Sequence, residues 1–418
     1  MLWILAGVAV ALLIYEGWTL ATSVLVPLLG NPRVLQTDFH YYHEAAMRFR
    51  GDASRLYLPT DDVIAGFAYP PPAIAPFVLL SYAPLGMAFL ILTVASYAAI
   101  LAAVWMWLRY LRGHGHEISA PATAAVTLIA VGLGPTYMNA IFGQVNALVL
   151  LCAVTFITWA AVRPIASGAL LATGIWLKIY PAAIVAAGIW DRRTWKALAY
   201  AAVAAMVIVI LVLPVVPLDT YASYLGVLGA RSDKTALHIS NQSLIAFLER
   251  FFVDPERFLN WTGEQAITAS AAVRAVNVMA AAAAIALLWA RVKTNADAAV
   301  HSAAALIALP ALIAPLGWGH TFVFVLPLAI TLLVSARQSG LVFQLVVAAC
   351  VAALMIPAGR RFSLIEQWPA WAQNLAYSRY LIATMLLIAL PPQAVGGERD
   401  FLNSPSDSPA SSTRPPMV

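Results

Sequence analysis

Five polar groups interrupt an otherwise apolar chain, and each stands at the end of a long hydrophobic run. They are Asp38-Phe39-His40, Tyr69-Pro70-Pro71, Gly143-Gln144-Val145-Asn146, Asn241-Gln242-Ser243 and Trp318-Gly319-His320. The chain is 62% hydrophobic and 10% charged, whereas a soluble domain is about 45–50% apolar. Its runs are continuous, without the inside–outside alternation of a membrane barrel. Runs of about 20 apolar residues cross a bilayer as helices. The fold expected is therefore all-α, a polytopic transmembrane bundle of about 11–12 spans. Polar residues kept for scattered structural reasons have no cause to sort onto one side of such a bundle. A site at one membrane face does.

Spans are expected near 3–23, 86–108, 121–138, 144–162, 196–216, 268–291, 298–315, 320–336, 340–357 and 376–393. Two segments differ. Residues 72–84 are short, begin after Pro70-Pro71 and stop at Pro84, so they read as interfacial or re-entrant. Residues 166–190 carry Lys178 and Pro181 at their centre, and proline breaks a helix there. This predicts two short segments with Lys178 near the tip between them. The first span lacks a basic leader, so it reads as a retained helix and not as a cleaved signal.

Cytoplasmic connections are enriched in Lys and Arg. With these spans, Arg109 and Arg112, Arg163, Arg192, Arg193 and Lys196, Arg291 and Lys293, and Arg337 all fall on one side. That side is assigned as cytoplasmic, with both termini. Residues 1–393 form the membrane domain, and 394–418, rich in Gly, Ser and Pro, form a disordered cytoplasmic tail. The net charge of +5 lies in these short loops and does not suggest a nucleic-acid partner. Cys152 and Cys350 each lie inside an apolar run and read as packing residues.

On the opposite side, residues 39–49 repeat Phe39, Tyr42, Ala46 and Phe49 at helical spacing, which describes an interfacial helix in the first loop. Asp38 stands at its start. An aspartate there caps the helix. It is also a fixed, ionised carboxylate at a water–lipid boundary, as a general base requires. Tyr69 suits the interface, and the prolines after it set the re-entry. Gln144 lies at a helix entrance, where free N–H groups make a weak anion site, and Asn146 suits an interhelical hydrogen bond. Lys178, in apolar surroundings, could hold a phosphate or pair with Glu16. Glu16 itself, an acid at membrane depth, marks either a functional site or a side chain satisfied within the bundle. His320 ends another helix beside Trp318, with glycines that permit close approach. Asn241 and Gln242 could bind sugar hydroxyls. Metal-ligand spacing, a phosphate-binding glycine loop and a nucleophile elbow are all missing from the sequence, so no cofactor or metal is expected.

Thr37-Asp38-Phe39-His40-Tyr41-Tyr42, then Gly51, Leu56-Tyr57 and Phe67-Ala68-Tyr69-Pro70-Pro71, resemble the first outer loop of glycosyltransferase family 87. The resemblance continues through Gly143–Asn146, Gly174 with Leu177-Lys178-Ile179-Tyr180-Pro181, Asn241–Leu244, and Trp318 with His320. The family comprises integral-membrane enzymes of GT-C type and includes polyprenyl-phosphomannose-dependent mannosyltransferases. The resemblance implies a metal-independent, inverting transfer of a hexose, mannose in characterised relatives, from a polyprenyl-phosphate donor. The acceptor would be a lipid or glycan hydroxyl at the outer face of the inner (plasma) membrane. It maps the base onto Asp38 and the histidine near the donor phosphate onto His320. His40, Tyr69, Gln144, Asn146, Lys178, Asn241, Gln242 and Trp318 complete the expected substrate site. Membrane lipids are the remaining partners. The competing reading is a transporter or flippase of lipid-linked sugars, for which Glu16 and the broken helices would suit.

Overall fold

A computed structural model describes residues 1–27, 37–57, 66–189, 191–261, 266–295 and 298–391. The expected tail, 394–418, lies outside the described residues. The chain is largely helical. In order come α1 (Leu2–Leu20, widening into a π-turn at Ala21–Leu25), α2 (Asp38–Gly51), α3 (Ile74–Leu80, entered by a tight turn at Pro71–Ala73) and α4 (Leu85–Gly113). Next are α5 (Ala120–Val131), α6 (Gly134–Ile141), α7 (Asn146–Trp159), α8 (Pro164–Leu177), a 3-10 segment Tyr180–Ile189, α9 (Trp195–Val212) and α10 (Leu218–Arg231). Then follow α11 (Leu244–Glu249), α12 (Pro255–Leu259), α13 (Ala271–Thr294), α14 (Ala298–Ile313), a 3-10 segment Gly319–Val325 running into α15 (Leu326–Ala336), α16 (Leu341–Met355), α17 (Ala370–Tyr377) and α18 (Arg379–Ala389). One departure from an all-helical chain is a short antiparallel ribbon, β1 (Lys234–Ala236) on β2 (Ala266–Thr268), with Thr235 opposite Ile267.

The starts of the helices follow from local chemistry. Ser119, Ser243 and Ser270 each accept a hydrogen bond from a first-turn amide, and Pro121, Pro135 and Pro164 occupy positions where no donor is needed. Among the described residues, five helices are long and apolar enough to cross a membrane, and α5–α6, bent by 49°, makes a sixth if counted as one span. Six further apolar helices among them are 10–17 residues long. This is fewer full-length spans than expected, because prolines, glycines and Lys178 divide the runs. At 1.5 Å per residue a 14-residue helix such as α7 covers only about 21 Å of an apolar layer about 30 Å thick.

Burial sorts the helices into an inner and an outer set. The span Gly319–Ala336 is wholly enclosed, whereas only 11% of the apolar span Arg192–Val212 is buried. Its Val203, Met206, Ile210 and Leu211 are exposed, which in an apolar helix identifies the lipid-facing side. Hydrogen bonds hold the inner helices together: the Trp107 indole on α4 donates to Thr331 on α15 over 2.9 Å.

The two ends of the bundle differ in character. At one end Arg112 bonds Ile118 and Thr123, and Arg291 donates to the carbonyls of Ile388 and Ala389. At the other, hydrogen bonds tie the five polar groups into one neighbourhood. The Phe39 amide donates to the Phe142 carbonyl over 3.1 Å, the Gln242 amide to Gly317 over 2.7 Å, and the Gly319 amide to Ser240 over 2.9 Å.

Candidate active site

Helix α2 is clamped from its middle to its last turn. Arg50 donates to the carbonyl and hydroxyl of Ser81 and lies 3.8 Å from the centre of the Tyr82 ring. His43 bonds the carbonyl of Ala83 over 3.2 Å. Phe39, Tyr42, Ala45 and Ala46 face inward and bury against α3 and α4. Thr37, in extended conformation, takes the capping position, and Asp38 is the first helical residue. This corrects the expected cap: the carboxylate of Asp38 serves no amide of its own helix but reaches across to Gln144 and His320.

Gln144 is held by a closed ring of hydrogen bonds. Tyr69 donates its hydroxyl hydrogen to Gln144 Oε1 over 2.8 Å. Having used that hydrogen, it accepts from Tyr42, 2.8 Å away. The Tyr42 oxygen in turn accepts from Gln144 Nε2 over 2.8 Å. The second amide hydrogen of Gln144 goes to Asp38 Oδ2. Flipping the amide would set its oxygen against the carboxylate, so the ring fixes the donor where an anion sits. Tyr57 braces the ring from behind, donating to the Tyr69 carbonyl over 2.6 Å.

Gly143 makes this approach possible. Its φ of +63° is costly for residues with a Cβ. A Cβ there would also lie 2.5 Å from Cβ of Phe39, the neighbour of Asp38.

A second chain of bonds leads to His320. Lys178 donates from Nζ to Asn146 Oδ1 over 2.7 Å. The oxygen of this amide is thereby taken, and its nitrogen lies 2.9 Å from His320 Nδ1. The amide nitrogen can only donate, so Nδ1 accepts and the ring proton resides on Nε2. Nε2 in turn lies 3.6 Å from Asp38 Oδ2. Lys178 has extended backbone at the break between α8 and Tyr180–Ile189, as its position beside Pro181 predicted. Its ammonium lies 5.4 Å and 5.0 Å from the rings of Tyr69 and Tyr180, an attraction that a cation keeps in apolar surroundings.

The structure thus brings Asp38, Tyr69, Gln144, Asn146, Lys178 and His320 together. It turns His40 the other way, onto Glu44 Oε1 at 3.1 Å. Asn241 and Gln242 are fully buried, and their groups are engaged. The amide of Asn241 donates to Ala236 and Pro315 and accepts from the Ser243 amide. That of Gln242 donates to Ile239 and Tyr377 and accepts from Tyr380. They offer nothing to a sugar and instead pin the segment that carries His320, where Asn241 bridges to Trp318. Trp318 is half-buried at the edge. Glu16 is buried on α1, and among the described residues neither oxygen has a hydrogen-bond partner, while Lys178 bonds Asn146 instead. Among the described residues, no three His, Cys, Asp or Glu side chains converge as a metal-ligand set.

Sequence reading missed two members. Tyr42 appeared only as an apolar-face residue, although its place four residues after Asp38 puts it on the same face. Tyr180 follows Lys178 by two at the start of the 3-10 segment, and its ring centre comes within 5.0 Å of the ammonium.

Enclosure by protein raises the Asp38 carboxyl to about 6, against the pull of the Gln144 hydrogen bond and the Lys178 charge. The side chain still exposes 37% of its surface, so a reactant can reach it. At neutral pH it is mainly ionised, yet basic enough to take a proton.

Fold and site define a multi-pass membrane protein with a carboxylate, an imidazole N–H and an ammonium group held together at one end of its bundle. The profile of glycosyltransferase family 87 matches residues 67–315. The chain belongs to that family and is a membrane-embedded, glycosyltransferase-like protein. No curated protein matches it. The matched region contains Tyr69, Gln144, Asn146, Lys178, Asn241 and Gln242 but begins after Asp38 and ends before His320. Those two enter the site through the bonds they make to Gln144 and Asn146.

Proposed function

We propose that the chain transfers a hexose, mannose being the first candidate, from a polyprenyl-phosphate carrier to a lipid or glycan hydroxyl. The six shorter apolar helices complete the bundle as spans or half-spans. The site faces the outer side of the inner (plasma) membrane, with the arginine-bearing connections and both termini in the cytoplasm. The observation that carries this reading is one carboxylate oxygen held by Gln144 and set 3.6 Å from the Nε2–H of His320.

The chemistry balances without a cofactor. Asp38 takes the proton of the acceptor hydroxyl as its oxygen attacks the anomeric carbon. The bond from that carbon to the phosphate oxygen breaks, and the electron pair leaves with the polyprenyl phosphate. Attack from the face opposite the leaving group inverts the anomeric centre. Negative charge grows on the departing phosphate, and donors placed beforehand at that charge stabilise the transition state. Lys178 Nζ, anchored by one hydrogen bond, has two N–H groups left for it, and His320 Nε2–H supplies another.

The test is transfer of radiolabelled mannose from polyprenyl phosphate to total lipid in membranes containing the wild type or Asp38→Asn. A labelled product that disappears in the variant, with the protein still in the membrane, supports the reading. Equal product from both removes Asp38 as base. The transporter alternative predicts instead that Glu16→Gln is the damaging change.

A further inference from the structure

Beside the cluster lies an aromatic surface that the transfer chemistry does not use. Trp261 leaves 57% of its surface exposed. Its ring centre lies 5.9 Å from that of Trp318, and the planes are inclined by 43°. His238 stands edge-on to Trp261 at 5.2 Å. Its Nδ1 accepts from the Ser240 amide over 3.2 Å, so its ring proton is on Nε2 and can be donated to a ligand.

The surface is braced from several directions. Arg361 pairs with both oxygens of Glu366, at 2.6 and 2.8 Å, and donates to Asn260 Oδ1 at 2.8 Å. Asn260 precedes Trp261, so this bond fixes the chain that carries the indole. Trp318 is held by its bridge to Asn241 and by the Gln242–Gly317 bond. Trp318 is also two residues from His320, no more than about 7 Å along the backbone. The shelf therefore adjoins the proposed reacting groups.

We propose that Trp261 and Trp318, edged by His238, form the acceptor subsite, and that the acceptor presents a pyranose ring to it. One face of a pyranose is lined with C–H bonds and stacks on an indole, while its rim hydroxyls take hydrogen bonds. A hydrocarbon partner would need no donor at the edge, and His238 supplies one. Buried Arg250 donates to the His238 carbonyl over 3.3 Å and makes the local field positive, which disfavours an amino sugar, whereas the charge of Arg361 is balanced by Glu366. The word acceptor rests on the transferase reading above, whereas the binding of a pyranoside does not.

The experiment is saturation-transfer difference NMR on the full chain in lipid nanodiscs, with methyl α-D-mannopyranoside as the probe and no donor present. Signals from the C–H protons of the sugar ring are expected in wild type and in Trp261→Phe. In Trp261→Ala they are expected to fall by about two- to tenfold. Methyl 2-amino-2-deoxy-α-D-glucopyranoside is expected to give weaker signals than the neutral probe. No signal in wild type, or undiminished signal in Trp261→Ala, overturns the proposal and leaves Trp261 as a lipid-interface anchor. Because no donor is present, the result does not depend on sugar transfer. A shelf that binds sugar while Asp38→Asn still transfers refutes the base alone, and an inactive Asp38→Asn with an empty shelf refutes the shelf alone.

Discussion

Replacing Gln144 by Leu removes the side-chain amide that donates to the Asp38 carboxylate. The bond stabilises the ionised form, so its loss raises the carboxyl further above its starting point of about 6. A hydrogen bond to a charged group contributes about 1.5–3 kcal/mol. Asp38 keeps 37% of its side chain exposed, so water replaces part of what is lost, and the lower figure of about 1.5 kcal/mol applies. That equals about one pH unit, which moves the acid limb of the rate profile from about 6 to about 7. A base works only when deprotonated, so the loss falls on the acid side. At pH 7 the ionised fraction drops from about 0.9 to about 0.5, and at pH 5 the rate falls about tenfold, whereas well above pH 8 it recovers. The assay is the initial rate of mannosyl transfer from polyprenyl phosphate in membranes, from pH 5 to 9, for wild type and variant. The variant opens the ring that Gln144 closes, but Tyr42 and Tyr69 can still bond each other. A limb that stays at about 6 or moves down means that the titrating group is not Asp38, or that Gln144 does not hold it. A uniform loss at every pH means that Gln144 acts on geometry and not on the charge.

Lys178→Met is expected to lower kcat by about 10²–10³, the effect of removing one preorganised donor from a developing anion; transfer rates within a factor of five of wild type would remove Lys178 from the leaving-group side. His40→Ala is expected to leave transfer within about twofold of wild type, because its partner is the half-exposed Glu44 and such surface pairs contribute little. A large loss there would reinstate His40 in the site. Gly143→Ala forces a Cβ into a left-handed turn and against Phe39, costing about 1–3 kcal/mol. A thermal melt in detergent should show the drop, and an unchanged melt would mean that the turn relaxes freely.

The sequence announced the site more clearly than the bundle. Sorting by arginine position put five polar groups at one end, and hydrogen bonds from Phe39 to Phe142 and from Gln242 to Gly317 join them there. The break at Lys178 was legible because proline and a buried cation both oppose a continuous helix. The number of full-length spans was not, since hydropathy registers apolar runs and is blind to the turns that shorten α7 to 14 residues and bend α5 against α6 by 49°. Asn241 and Gln242 show the other limit. An amide looks the same in sequence whether it faces a ligand or closes a loop, and the carbonyls of Pro315 and Tyr377 that engage these two are more than 70 residues away along the chain.

Asn146 and Gln144 were both legible as residues, but their division of labour was not. They lie two apart at the entrance of α7, one on each side of Val145, and the left-handed turn at Gly143 swings that entrance against α2. One amide then donates to the carboxylate and the other to the histidine. The choice of amides has a physical reason. A charged residue in either place would titrate, or would compete with a ligand for Asp38 or Lys178. An amide does neither, and it presents a donor and an acceptor that cannot exchange places while both are engaged. Tyr69 and Tyr42 lock the first amide, Lys178 locks the second, and the proton on His320 follows from that second lock through Asn146. The orientation of Asp38 and His320 is thus set through amides, which do not titrate and so hold their places when a neighbouring group gains or loses a proton.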